Sequence, residues 1–272
     1  MERPVFIVSD HTGLTAESVA RSLLAQFEPV KFRYLMRPFC DTVQEVAQVV
    51  QEIEAVAQPN GARAIVFSTL TNPAHTELLK AAPALHFDLF RAYLGELEAE
   101  LGISPTGQVG RYHQIGDAKA YFTRIDAVDF ALSTDDGLGA KSYSAADVIL
   151  IGPSRAGKTP TCLFLGLQYG IRAANYPLAE DDFERSELPG PIKGYRAKIF
   201  GLTIDPKRLQ QIRTARKPNS KYASLEQCDY EVRRSLELYK ANGVTYFDTT
   251  ASSIEEIAAN LMQAMGLSRR VG

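Results

Sequence analysis

Asp147-Val-Ile-Leu-Ile151 runs directly into Gly152-Pro-Ser-Arg-Ala-Gly-Lys-Thr159, and Cys162-Leu-Phe-Leu-Gly-Leu167 follows with helical spacing of its apolar residues. The first five residues are a short apolar run of the kind that forms a buried strand. The next eight satisfy G-x-x-x-x-G-K-[ST], the phosphate-binding loop. Strand, glycine-rich turn and helix in that order place successive backbone N–H groups around an anion at a helix N-terminus. The stretch therefore predicts α/β architecture and a bound nucleotide, with Gly152, Pro153, Ser154, Arg155, Ala156, Gly157, Lys158 and Thr159 as the candidate phosphate-binding set. Lys158 supplies a point charge, and the Thr159 hydroxyl is the candidate Mg²⁺ ligand. A glycine-rich turn that merely contains a lysine is the plainer alternative. Pro160 disfavours the α region for the residue before it, so Thr159 is expected at the helix cap, not inside the helix.

Working outward, 272 residues at 45% hydrophobic and 23% charged suit one large or two modest globular domains. A formal net charge of −2 gives no overall attraction to nucleic acid or an anionic membrane. Cys40, Cys162 and Cys228 are widely spaced, with no C-x-x-C pair, so neither a disulfide framework nor a zinc site is indicated. The N-terminus lacks a basic-then-apolar signal pattern. No apolar run approaches the roughly 18 residues that a membrane span needs. The expectation is a cytoplasmic protein without nucleic-acid or membrane partners; whether it is a monomer or a homo-oligomer stays open.

Short apolar runs alternate with helical periodicities along the whole chain. Val5-Phe-Ile-Val8 is a strand and residues 15–27 a helix. Residues 31–39 are a second strand, and Thr42-Val-Gln-Glu45 is a capping box opening a helix to about Ala57. Arg63-Ala-Ile-Val-Phe-Ser68 is a third strand, and Asn72-Pro73 starts another helix. Residues 85–90 fit a strand or the lead into a helix ending near Leu101. Residues 118–132 have helical spacing. Gly, Ser and Asp between 133 and 139 break the pattern, which places the domain boundary near Gly139: an N-terminal βα-repeat domain over 1–139 and a P-loop α/β domain over 140–272. Within the second domain, strands are expected at 171–174, 199–204 and 244–247, and helices at 224–241 and from Ser253. Leu188-Pro-Gly-Pro-Ile-Lys-Gly194 reads as a mobile surface loop.

Several polar positions are candidates around the loop. Asp205 closes an apolar strand. It suits either a magnesium-side or proton-accepting carboxylate, or an N-cap ahead of Pro206. Lys207, Arg208, Arg213, Arg216, Lys217 and Lys221 fall within fifteen residues that contain no acid. That is a solvated helix face, or a phosphate-recognition patch through Arg213, Arg216 or Lys217. Ser9-Asp-His-Thr-Gly-Leu-Thr-Ala-Glu17 crowds polar groups into the turn after the first strand, either as a ligand turn or as plain turn chemistry with Gly13 at the bend and Thr15 as cap. His113 and the Asp135-Asp136-Gly137 segment carry the same ambiguity, and the paired aspartates before glycine suit either Mg²⁺ or a surface turn.

Five segments together resemble the pyruvate, phosphate dikinase regulatory protein family: residues 9–17, the loop through Pro160, Leu167-Gln-Tyr-Gly-Ile-Arg-Ala-Ala-Asn-Tyr-Pro177, Leu202-Thr-Ile-Asp-Pro206 and Ser252-Ser-Ile-Glu-Glu-Ile-Ala258. The similarity spans nearly the whole chain. Ser-Arg-x-Gly-Lys-Thr-Pro is far more specific than a generic P-loop, and the 169–177 segment is similar to the bacterial branch acting on phosphoenolpyruvate synthase. Pro153 departs from the family, where a small aliphatic residue is expected. The resemblance implies a bifunctional regulator. It would phosphorylate a threonine of its target with ADP as donor, silencing the enzyme, and let inorganic phosphate remove that group as diphosphate. It also implies that Lys158 and Arg155 hold phosphates and that Thr159 and Asp205 place Mg²⁺ or the threonine hydroxyl, with Lys158 and Asp205 as the catalytic pair. The same chemistry on pyruvate, phosphate dikinase, a nucleotide-sensing module without catalysis, and a small-metabolite kinase are the alternatives.

Overall fold

Val5, Phe6, Ile7 and Val8 are all fully buried, because a parallel strand covered on both faces has no solvent side to make polar. They lie in β1 (Glu2–Ser9), the first element of the computed structural model, which describes residues 2–56, 62–108, 118–137 and 139–271. The chain divides into two compact units, Met1–Gln114 and Ile115–Gly272.

The first unit continues with α1 (Leu14–Leu24), β2 (Lys31–Arg37), α2 (Val43–Ala55), β3 (Ala64–Thr69), α3 (Pro73–Lys80), β4 (Ala84–Asp88) and α4 (Arg91–Leu101). Its four strands are parallel in the order β2-β1-β3-β4. The capping box forms as its sequence predicts: Thr42 Oγ1 accepts from the Glu45 amide, and the Glu45 carboxylate accepts from the Thr42 amide. Donation from the Thr42 hydroxyl, and after it from the Thr42 amide, holds the Glu45 carboxyl below its usual range. Asn72 caps α3 through its side chain, with Pro73 at the first helical position. The segment with two readings, 85–90, supplies strand β4 over 84–88. Thr15 is not a cap, since α1 begins at Leu14 behind Gly13, whose φ of 76° suits a residue without Cβ.

The second unit contains α5 (Ala118–Ser133), β5 (Val148–Gly152), α6 (Lys158–Tyr169), β6 (Ala173–Pro177), α7 (Glu180–Phe183), α8 (Gly190–Lys193), β7 (Ile199–Thr203), α9 (Pro206–Arg216), α10 (Leu225–Asn242), β8 (Tyr246–Asp248) and α11 (Ile254–Ala264). Its sheet is again parallel, in the order β6-β5-β7-β8. Ile149, Leu150 and Ile151 are fully buried at its centre. Burial of each such side chain contributes about 1.5–3 kcal/mol.

Three expectations are corrected here. The division lies near residue 114, not 139, because α5 packs along α6. A Cβ on Gly166 would come within 3.1 Å of the Ala127 backbone, so glycine permits that close approach. The strand expected at 171–174 begins two residues later, where Ala173 pairs with Val148. The segment 188–194 is not an open loop: Leu188, Pro189 and Ile192 are buried and residues 190–193 form α8. Among the described residues no helix is long and apolar enough to cross a membrane. His113 lies outside the described residues.

Candidate active site

The loop leaves the carboxyl end of β5, between β6 and β7. The chain crosses from β5 to one neighbour and later returns to the other, so a crevice opens at this switch point. Gly152 is required there. Its φ is 152°, and a Cβ would lie 2.5 Å from the Leu202 carbonyl oxygen on β7. Gly157, with φ 94°, caps α6.

What shapes the loop is the anchoring of its carbonyl groups. Lys158 Nζ donates to the carbonyls of Gly152 and Pro153 at 2.9 and 2.8 Å. Arg213 donates to that of Ser154 at 3.0 Å. The single proton of Thr249 Oγ1 is shared between the carbonyls of Thr203 at 3.0 Å and Ala156 at 3.2 Å. With three loop carbonyls held by the side chains of Lys158 and Arg213, the first amides of α6, which have no partners within the helix, are left to bind an anion. Arg155 adopts φ 76°, a left-handed conformation that costs a non-glycine residue about 1–3 kcal/mol and that clusters at ligand clamps.

Lys158 is 5% exposed. Two of its three N–H donors are taken by loop carbonyls, which directs the third. Burial lowers its pKa to about 8, partly offset by the nearby carboxylates of Asp136 and Asp135. A cavity of about 440 Å³ lies over the loop, with Arg155, Lys158 and Arg216 as its cations.

Beside it, Thr159 Oγ1 donates to Asp135 Oδ1 at 2.8 Å. Asn175 Nδ2 reaches Asp135 Oδ1 at 2.5 Å and Thr159 Oγ1 at 3.1 Å. Asn175 is 1% exposed, and its Oδ1 has no hydrogen-bond partner. A hydroxyl and a carboxylate thus meet at the end of the loop, oxygen donors of the kind a hard divalent cation takes, with the Asn175 amide nitrogen bonded to both. In the sequence the Asp135-Asp136 pair suits a Mg²⁺ role and a surface turn equally. Asn175 gave no signal, because it reaches Thr159 only through the pairing of β6 with β5.

The structure brings together Gly152, Pro153, Ser154, Arg155, Ala156, Gly157, Lys158 and Thr159 as one loop. Thr159 sits at the second helical position of α6, not at the cap. Pro160 is tolerated behind it because its missing N–H falls among the first-turn orphans. Asp205 goes elsewhere: it is exposed, accepts from the Arg208 amide at 2.9 Å as N-cap of α9, and does not line the loop cavity. The carboxylate next to Thr159 is Asp135. Of the basic run, Arg216 lines the cavity. Arg213 is fully buried and forms a bidentate pair with Glu231 at 3.1 and 2.6 Å. Lys217 is exposed at the end of α9.

A phosphate loop, three cations and an oxygen cluster in one cleft are the parts of a phosphoryl-transfer site. The profile of the kinase/pyrophosphorylase family matches residues 5–262. The chain belongs to the kinase/pyrophosphorylase family. Its relatives in that family align end to end. A Deinococcus radiodurans protein is 56% identical over 271 residues, covering 100% of this chain and 98% of its own length. Proteins of Ectopseudomonas mendocina and Azoarcus sp. are each 48% identical, over 271 and 268 residues, covering 100% and 98% of this chain and 100% and 97% of their own lengths. All three carry the provisional name phosphoenolpyruvate synthase regulatory protein.

Proposed function

We propose that this protein regulates phosphoenolpyruvate synthase by moving a phosphoryl group on and off one of its threonines. The observation that carries the reading is the anchored loop: outward-held carbonyls, a buried lysine and two arginines facing one cavity. In the inactivating direction, the threonine oxygen forms a bond to the β-phosphorus of ADP. The bridging P–O bond breaks, AMP leaves, and the hydroxyl proton passes to solvent or a neighbouring base. In the reverse direction, an oxygen of inorganic phosphate attacks the phosphothreonine phosphorus and diphosphate leaves, restoring the hydroxyl. Both directions need the same anion hole, since each gathers phosphate charge at the reacting centre. The chemistry is positioning and charge neutralisation, which suits a site built of fixed N–H groups and cations.

Lys158 and the α6 amides hold the phosphoryl group being transferred, and Arg155 and Arg216 neutralise the remaining phosphate charge. Thr159 and Asp135 would hold Mg²⁺; a hydroxyl and a carboxylate are hard oxygen donors that fit it, and the Asn175 amide nitrogen braces both. Bound there, the ion would supply charge neutralisation on the phosphate oxygens. Asp205 keeps its cap, and any direct part in transfer is tested below.

The test is mass spectrometry of phosphoenolpyruvate synthase after incubation with this protein and ADP. The expected result is one phosphoryl group on a threonine, lost again with diphosphate release when phosphate replaces ADP. An unmodified target, with ADP intact, contradicts the reading.

A further inference from the structure

Ser154 belongs to two cavities. One is the phosphate cavity; the other, of about 320 Å³, lies between the start of α7 and the face of α10. Their chemistry differs. The second is lined by Leu178, Ala179 and Phe183 on one side and by Tyr222 and Gln227 on the other. The Ser154 and Tyr222 hydroxyls meet at 3.0 Å where the cavity joins the loop. Its one buried carboxylate, Glu231, is neutralised by Arg213. Its remaining charges, Lys221 and Glu180, pair with each other at 3.9 Å. The space therefore carries no excess positive charge to draw a second phosphate. It offers apolar surface with a few hydrogen-bonding groups, in a volume typical of small-ligand sites.

In phosphoryl transfer the attacking and leaving oxygens lie roughly in line across the transferred phosphorus. The acceptor then approaches from the side of the phosphorus opposite the leaving oxygen. We propose that the cavity beside Ser154 docks the threonine-bearing segment of the target protein. This rests on the reading of the loop as a donor site. Leu178 and Phe183 take the apolar groups flanking the threonine, Gln227, whose Nε2 donates to Glu231 at 3.0 Å, offers its Oε1 to a peptide N–H, and the hydroxyl pair of Ser154 and Tyr222 marks where the threonine oxygen enters.

The experiment uses Ala179→Phe, which adds a ring at an exposed position on the cavity wall, and Gln227→Leu, which keeps the size of the α10 side chain but removes its amide and the donation to Glu231, leaving both bonds from Arg213 to that carboxylate. For each, thermal unfolding checks the fold, calorimetry gives ADP affinity, and label transfer from ADP gives kcat and KM for phosphoenolpyruvate synthase. Ala179→Phe is expected to raise the KM for the target about tenfold with kcat little changed, the mark of lost uniform binding. Gln227→Leu should move KM in the same direction, and ADP affinity should stay as in the wild type in both. If ADP affinity falls while KM for the target holds, the cavity takes the nucleoside and the proposal is overturned. Unchanged constants in a folded variant overturn it too. Should Ala179→Phe not fold, Gln227→Leu decides alone. Wild-type protein that transfers no label contradicts the donor reading itself, a failure separate from this one.

Discussion

The two units are built on the same plan and make different use of it. In each, the first strand is central in a four-stranded parallel sheet, the second strand pairs on one side and the third on the other. In each, the turn after that first strand sits at the switch point where such sheets hold ligands. In the first unit that turn is knit to the end of β3 and the turn that follows it. Asp10 accepts from the amide and hydroxyl of Thr71, both at 2.7 Å, and Ser9 Oγ accepts from Thr69 Oγ1 at 3.0 Å and the His11 amide at 3.1 Å. In the second, Lys158 of α6 and Arg213 of α9 hold the carbonyls of residues 152, 153 and 154, and that lysine is buried. Topology supplies a place; the direction in which backbone dipoles are held makes it an anion site.

The largest expected effect is on the anchor. Arg213→Met leaves Glu231 buried without its partner and should cost about 3–5 kcal/mol in urea unfolding. Thiol labelling during that titration should expose Cys162 and Cys228, in the second unit, at lower urea than in wild type, with Cys40 of the first unit unshifted. An equal shift of Cys40 would show that the two units do not respond separately.

The matching change in the first unit is Asp10→Ala, which strips both Thr71 donors of their acceptor. A stability loss of about 1–3 kcal/mol is expected, with ADP affinity by calorimetry unchanged. A weakened affinity would mean that the first turn also serves the nucleotide.

Smaller still is the cap. Asp205→Ala should cost about 1 kcal/mol, while Asp205→Asn, itself a good N-cap, should stay within a few tenths. Neither should alter ADP binding, and transfer by Asp205→Asn should match the wild type. Transfer lost with binding intact would return the carboxylate to the chemistry. Least of all, burial pushes the Cys40 thiol up to about 11, so native protein at pH 8 should label there negligibly with iodoacetamide.

Much of this was readable in the chain because its signals are local. A capping box needs only Thr42 and Glu45 or Ser253 and Glu256, and both form. The loop is eight consecutive residues whose glycines are demanded by φ and by one nearby carbonyl. What escaped depends on partners far away in sequence. Asn175 meets Asp135 across 40 residues. Leu188 and Ile192 look exposed in a proline- and glycine-rich segment, but pack into the core with Tyr143 and Leu238. Asp205 reads equally as acid or cap until the Arg208 amide is seen bonded to it. Helical spacing over 118–132 is right, yet Ala127 and Ala131 are buried while Phe122 and Leu132 stay exposed. The residue facing α6 is chosen by what Gly166 lets approach, which no periodicity encodes.

The central claim is that the second loop, and not the first, holds the phosphates of ADP. Calorimetric titration of ADP into wild type, Lys158→Ala and Asp10→Ala tests it directly. Loss of a charge-assisted contact worth ~1.5–3 kcal/mol should weaken binding by Lys158→Ala about 10- to 100-fold, with Asp10→Ala matching the wild type. Wild-type affinity in a folded Lys158→Ala protein would contradict the account.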